Sequence, residues 1–115
     1  MKTYKLPKEF AEKWINALRS GKYKQTSDAL IKFSDDTNEK SYCCLGVAGS
    51  VCGLKSKTLL KHRLEDLYGN ILPIKKDIGD LKINEDFNQK LINMNDSGKS
   101  FADIADWIES NVEFI

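Results

Sequence analysis

The sequence predicts a mainly α domain with a minor β element: an α+β arrangement in one compact domain over residues 1–115, with four to five helices. Three observations predict it. Apolar residues recur at helical spacing in several separate stretches. Glycines, a proline and a capping serine stand where such helices would start and stop. The 115 residues, 41% apolar and 30% charged, suit a single hydrophobic core and speak against disorder.

Taken in order, the first helix runs from Lys8 to Ser20. Phe10, Trp14, Ala17 and Leu18 form its apolar stripe, which Ala11 and Ile15 widen. Pro7 supplies the fixed φ of a first turn, and Gly21 permits the left-handed stop. Lys22 to Thr26 is polar. Ala29 to Phe33 has a short apolar pattern that fits a strand, and Ser34 to Lys40 reads as a solvated loop or hairpin turn.

Ser41 to Leu54 is the most apolar segment. Leu45, Ala48 and Cys52 share one helical face, and Cys44, Val47 and Val51 a neighbouring one, as in a helix buried on two sides. Gly46 and Gly49 weaken such a helix unless another backbone lies close against them, and two strands are the rival reading. Leu59, Leu60, Leu64 and Leu67 predict an amphipathic helix over Lys57 to Leu67. Ile71 to Ile83, with Pro73 and Gly79, reads as a loop with one or two short strands.

Glu85 to Met94 is again helical, through Phe87, Leu91 and Met94. Asn95-Asp96-Ser97-Gly98 is a turn. Ser100 with Asp103 makes a capping box, after which Phe101, Ile104, Ala105 and Ile108 form the buried face of a last helix. The predicted core is Phe10, Trp14, Leu18, Leu45, Val47, Val51, Leu64, Phe87, Leu91, Ile104 and Ile108. Val112, Phe114 and Ile115 are too apolar for a free end, so residues 112–115 should dock, as an edge strand, against the first helix, or in a homodimer contact.

Chemistry is thinly signposted. Cys43, Cys44 and Cys52 are an odd set, better read as reduced core thiols than as disulfide partners. Cys43, Cys44, Cys52 and His62 are the candidate metal ligands. Adjacent cysteines, however, diverge by about 100° on a helix and seldom chelate one ion together, and Cys44 and Cys52, roughly on one face, lie two turns apart. His62, the sole histidine, lies in a lysine-rich stretch with nothing to orient it as a base for a cysteine nucleophile. Asp103, Asp106 and Glu109 form an acidic strip, which holds Mg²⁺ only if another carboxylate converges on it. Gly98-Lys99-Ser100 lacks the spacing and the preceding strand of a phosphate loop. Amides at the start of the last helix, with Lys99 beside them, offer an anion site unless the capping box occupies them. No catalytic residue, metal ligand or cofactor is assigned.

Charge excludes more than any motif identifies. Eighteen Lys and Arg against 17 Asp and Glu leave a net +1, unlike a protein that wraps nucleic acid. Residues 1–24 are locally basic, with Lys2, Lys5, Lys8, Lys13, Arg19, Lys22 and Lys24 against Glu9 and Glu12. Residues 96–115 hold Lys99 against Asp96, Asp103, Asp106, Glu109 and Glu113, which rules out a DNA-reading helix there. The basic first helix and acidic last helix either pair with each other or mark opposite faces. In the second case the basic end, interleaved with Tyr4 and Tyr23, is open to nucleic acid. No stretch is apolar enough to span a membrane, and no signal-peptide core follows the N-terminal lysines, which predicts a cytoplasmic protein.

The runs WINALRSGKYKQ (Trp14 to Gln25), with Leu30 after it, YCCLGVAGSVCG (Tyr42 to Gly53) and LINMNDSGKSFADIADWIE (Leu91 to Glu109) together resemble a widespread family of small bacteriophage and prophage proteins without an assigned function. The resemblance implies a viral origin, hence a host-cell cytoplasmic location, and carries no mechanism. It favours an accessory protein that binds a host or phage macromolecule without catalysis. The alternative is a small-ligand or nucleotide-binding protein, possibly an enzyme, using Lys22, Tyr23, Lys24 and Gln25 with Asn95, Asp96, Lys99 and Ser100. Convergence of those two turns on one pocket favours the alternative, and a flat apolar patch favours the first.

Overall fold

The computed structural model describes residues 4–37, 39–51, 53, 55 and 85–115. In chain order they form β1 (Tyr4–Leu6), α1 (Lys8–Arg19), β2 (Lys24–Gln25), β3 (Ile31–Phe33), β4 (Lys40–Tyr42), α2 (Cys44–Val51), α3 (Glu85–Asp96), α4 (Phe101–Asn111) and β5 (Val112–Phe114). The architecture of the described residues is mixed α+β, with four helices and short strands of two or three residues. The predicted helix over Lys57 to Leu67 and the strands within Ile71 to Ile83 lie outside the described residues, as do Cys52, His62 and Leu64.

Helix α1 buries Phe10, Ala11, Trp14, Ile15 and Leu18, the predicted stripe. Pro7 stands just before the helix rather than within its first turn, and its carbonyl accepts from Ala11 N at 2.9 Å. Gly21 takes the left-handed φ of +76° that lets the chain leave the helix. The indole of Trp14, fully buried, donates through Nε1 to the Cys44 carbonyl at 3.0 Å, which ties α1 to α2.

Helix α2 is covered on both sides, by α1 and by α3, and six consecutive residues from Cys44 to Gly49 are buried. A Cβ on Gly46 would overlap the Leu30 carbonyl oxygen and lie 2.9 Å from its carbon, so the glycine permits the close backbone approach. Cys43 caps the helix: its sulfur accepts from Gly46 N at 3.4 Å. Of the predicted core, Val51 is only half-buried, because it sits at the end of α2, past the packed segment. Leu6, Leu30, Ile31, Phe101 and Val112 complete the core instead.

Two sheets flank the helices. In one, β2, β4 and β3 lie side by side, with β2 parallel and β3 antiparallel to β4. The β3–β4 pair is the hairpin the sequence suggests, and Ser34 N closes it on the Glu39 carbonyl at 2.9 Å. In the other, β1 pairs in parallel with β5, Tyr4 opposite Val112 and Leu6 opposite Phe114. The C-terminal residues therefore dock within the chain as a strand. Val112 is fully buried and Phe114 partly so, whereas Ile115 stays exposed, contrary to its predicted docking, because it lies one residue past the paired strand.

Candidate binding site

Helix α3 ends where the site begins. Gly98, at φ +98°, turns the chain back, so that Lys99 N reaches the Met94 carbonyl at 3.0 Å and Gly98 N the Asn95 carbonyl at 3.4 Å. This paired closure is the Schellman arrangement, and it fixes Asn95 on the last turn pointing inward. Asn95 is only 4% exposed, and its amide is fully used. Its Oδ1 accepts from Gln25 Nε2 at 2.9 Å and from Cys44 N at 3.1 Å. Its Nδ2 donates to the Thr26 carbonyl at 2.7 Å and to Asp96 Oδ1 at 3.4 Å.

The two predicted turns thus meet, although 70 residues separate Gln25 from Asn95. Between them lies a solvent-open cleft of about 440 Å³ lined by Gln25, Thr26, Ser27, Asn95, Asp96 and Gly98. Gln25 Nε2 also donates to the Lys99 carbonyl at 2.7 Å, and Asp28 N donates to Asp96 Oδ1 at 3.3 Å. Asp28 holds a left-handed φ of +65°, a conformation that aspartate tolerates better than most side chains.

Only part of the predicted set lines this cleft: Gln25, Asn95 and Asp96. Lys99 contributes its carbonyl to the network, with its side chain exposed. Ser100 is a helix cap, its Oγ accepting from Asp103 N at 3.1 Å, so that start of α4 is already occupied and offers an anion less. Lys22 is exposed beyond the cleft, where its N–H donates to Ser20 Oγ at 3.2 Å. The Tyr23 hydroxyl bonds Ser50 Oγ at 3.2 Å, with its ring edge-on to Tyr42. Lys24 Nζ pairs with Glu39 at 3.4 Å. These three depart because β2 pairs with β4 and carries residues 23 and 24 toward α2 and the hairpin. The reading missed Thr26 and Ser27; the polar run continuing past Gln25 was their only signal.

Other reactive groups among the described residues are committed elsewhere. Burial pushes the Cys43 thiol up to about 11, and burial likewise raises Cys44, whose sulfur donates to the Leu91 carbonyl at 3.6 Å. Neither is a ready nucleophile at neutral pH. The acidic strip of α4 receives a guanidinium: Arg19 reaches Asp106 at 2.7 Å and Glu109 at 3.2 Å. The basic first helix and acidic last helix therefore pair through this contact. Among the described residues no group of three or more His, Cys, Asp or Glu is placed to hold a metal ion.

No helix of the described residues is long and apolar enough to cross a membrane. No curated protein and no solved structure matches the chain. One wall of the cleft, Gln25 to Ser27, falls within a family match and the other, Asn95 to Gly98, beyond it. Residues 6–68, more than half of the chain, match the family described as a domain of unknown function, DUF8296, and the chain belongs to that family.

Proposed function

We propose that this is a small binding protein, of phage or prophage origin, that holds a small polar ligand in the cleft between residues 25–27 and 95–98. The observation that carries the reading is the meeting of two sequence-distant polar turns on one solvent-open cleft. The phage origin rests on the motif resemblance of residues 14–25, 42–53 and 91–109. Binding is preferred to catalysis because, among the described residues, the cleft lining brings no histidine, cysteine or lysine beside the Thr26 and Ser27 hydroxyls to activate them. The same proposal retains the mainly α class with four to five helices and a host-cell cytoplasmic location.

Capture of a host or phage protein is the second reading. One observation favours it: Phe33 is 37% exposed on β3, which lies at the edge of its sheet among the described strands. Nucleic-acid binding through the basic N-terminal segment and a homodimer have less support, since Arg19 is engaged by α4 and the C-terminal strand is engaged by β1. The test is an amide-shift NMR screen of a library of small polar compounds. The expected result is shifts at 25–28 and 95–99. Shifts confined to 31–33, or none with any compound, would overturn the small-ligand reading.

A further inference from the structure

We propose that the ligand of this cleft is a small organic cation, bound through an ammonium or guanidinium group; the inference deepens the small-ligand reading and rests on it. The hydrogen-bond inventory carries the argument. Both Nε2 protons of Gln25 are spent, on Asn95 Oδ1 and the Lys99 carbonyl. Both Nδ2 protons of Asn95 are spent, on the Thr26 carbonyl and Asp96 Oδ1. Side-chain amide donors of the lining are thereby consumed by the fold, while Gln25 Oε1 and Asp96 Oδ2 remain as acceptors and the Thr26 and Ser27 hydroxyls can accept or donate. Only Oδ1 of Asp96 is engaged, by Asp28 N and Asn95.

The field has the same sign. The cleft lies at the C-terminal end of α3, where aligned peptide dipoles leave negative partial charge, and Asp96 adds a full negative charge. Lys99 is the opposing cation beside the cleft; both it and Asp96 are exposed, but Asp96 lines the cleft whereas Lys99 gives the network only its carbonyl. Among the described residues the lining has free acceptors, a carboxylate and no aromatic face, which favours a nitrogen cation held by charge-assisted hydrogen bonds.

The test is NMR titration of the full chain with four probes: agmatine and putrescine as cations, inorganic phosphate as anion, and ribose as a neutral polyol. The cations should shift the amides of Thr26, Ser27 and Gly98, with affinity falling as salt is added. Asp96→Asn keeps a carbonyl oxygen for Asp28 N, so the fold is retained, and it should weaken agmatine binding by about tenfold or more. Lys99→Ala should tighten it, and Asp36→Asn, in the distant hairpin turn, should leave it unchanged. Shifts of the same amides by phosphate or ribose but not by the cations would overturn the cation assignment while leaving a ligand cleft in place. Weaker agmatine binding in Lys99→Ala would also overturn it. Silence at those amides with the two cations would also overturn the cation assignment, whereas the small-ligand reading falls only if the wider library is silent there too. A capped arginine peptide binding more tightly than agmatine would mean that the cation belongs to a polypeptide; the reverse order would mean a free amine.

Discussion

At the scale of single residues, Asn95 joins β2, the start of α2 and the end of α3 through one buried amide. Its replacement by alanine strands the buried Cys44 N–H and strips the half-buried Thr26 carbonyl of its partner. A buried orphan costs about 1–3 kcal/mol, so Asn95→Ala should lose about that much in a denaturant titration. A midpoint near wild type would mean that water replaces the amide. The thiols give a pH signature. An ordinary thiol ionises near 9.0, but burial holds Cys43 protonated to about 11. Between those values the unfolded chain loses its proton first, so stability is intact below pH 9 and falls as pH rises toward 11. The slope is about 1.4 kcal/mol per pH unit for Cys43, and Cys44 acts in the same direction. Urea midpoints at pH 8 and pH 10 should converge for wild type and Cys43→Ala as pH rises, since the variant lacks this term.

At the scale of elements, β5 decides the fate of the chain's last residues. Val112 is buried, and the strand takes its ladder from β1, with Ile115 N continuing it to the Leu6 carbonyl at 2.9 Å. Deleting residues 112–115 exposes the β1 edge and removes a valine burial of about 1.5–3 kcal/mol, in addition to the ladder. The melting temperature should fall by several degrees, with the solution mass unchanged apart from the four residues. A change from dimer to monomer on deletion would mean that the strand serves an interface as well. Helix α4 enters this strand directly, its last turn closed by Val112 N on the Ile108 carbonyl, so damage to β5 should be felt in α4.

Across the whole molecule, Arg19 links the first helix to the last by ion pairs with Asp106 and Glu109. The guanidinium side chain is 36% exposed and both carboxylates more so, so the pairing is screened and modest. Arg19→Ala should cost about 1 kcal/mol or less, and the difference from wild type should shrink at about 1 M salt, where charges are screened within ~3 Å. A larger, salt-insensitive loss would assign Arg19 a packing role. The aromatic cluster beneath does more to join the helices. Trp14 meets Phe10 at 5.5 Å and Phe87 at 6.2 Å, and Phe87 meets Tyr4 at 4.8 Å and Trp107 at 5.9 Å.

What the sequence determined by itself was local. The stripe of α1, the double-sided burial of α2, the stop at Gly21, the Ser100 cap and the turn at 95–98 all follow from helical period, side-chain reach and glycine's freedom at positive φ. The close backbone neighbour required by Gly46 was legible too, though its identity, the Leu30 carbonyl, was not. Strands β1 and β2 were invisible because two or three residues carry no period, and their partners lie up to a chain length away. The candidate site divides in the same way. Polarity marked residues 22–25 and 95–100 as turns, but only strand pairing decided that Gln25 faces Asn95 while Lys24 faces Glu39. A hydrogen bond between residues 70 positions apart leaves no trace in local spacing; the register of β2 against β4, which only the folded chain fixes, decides it.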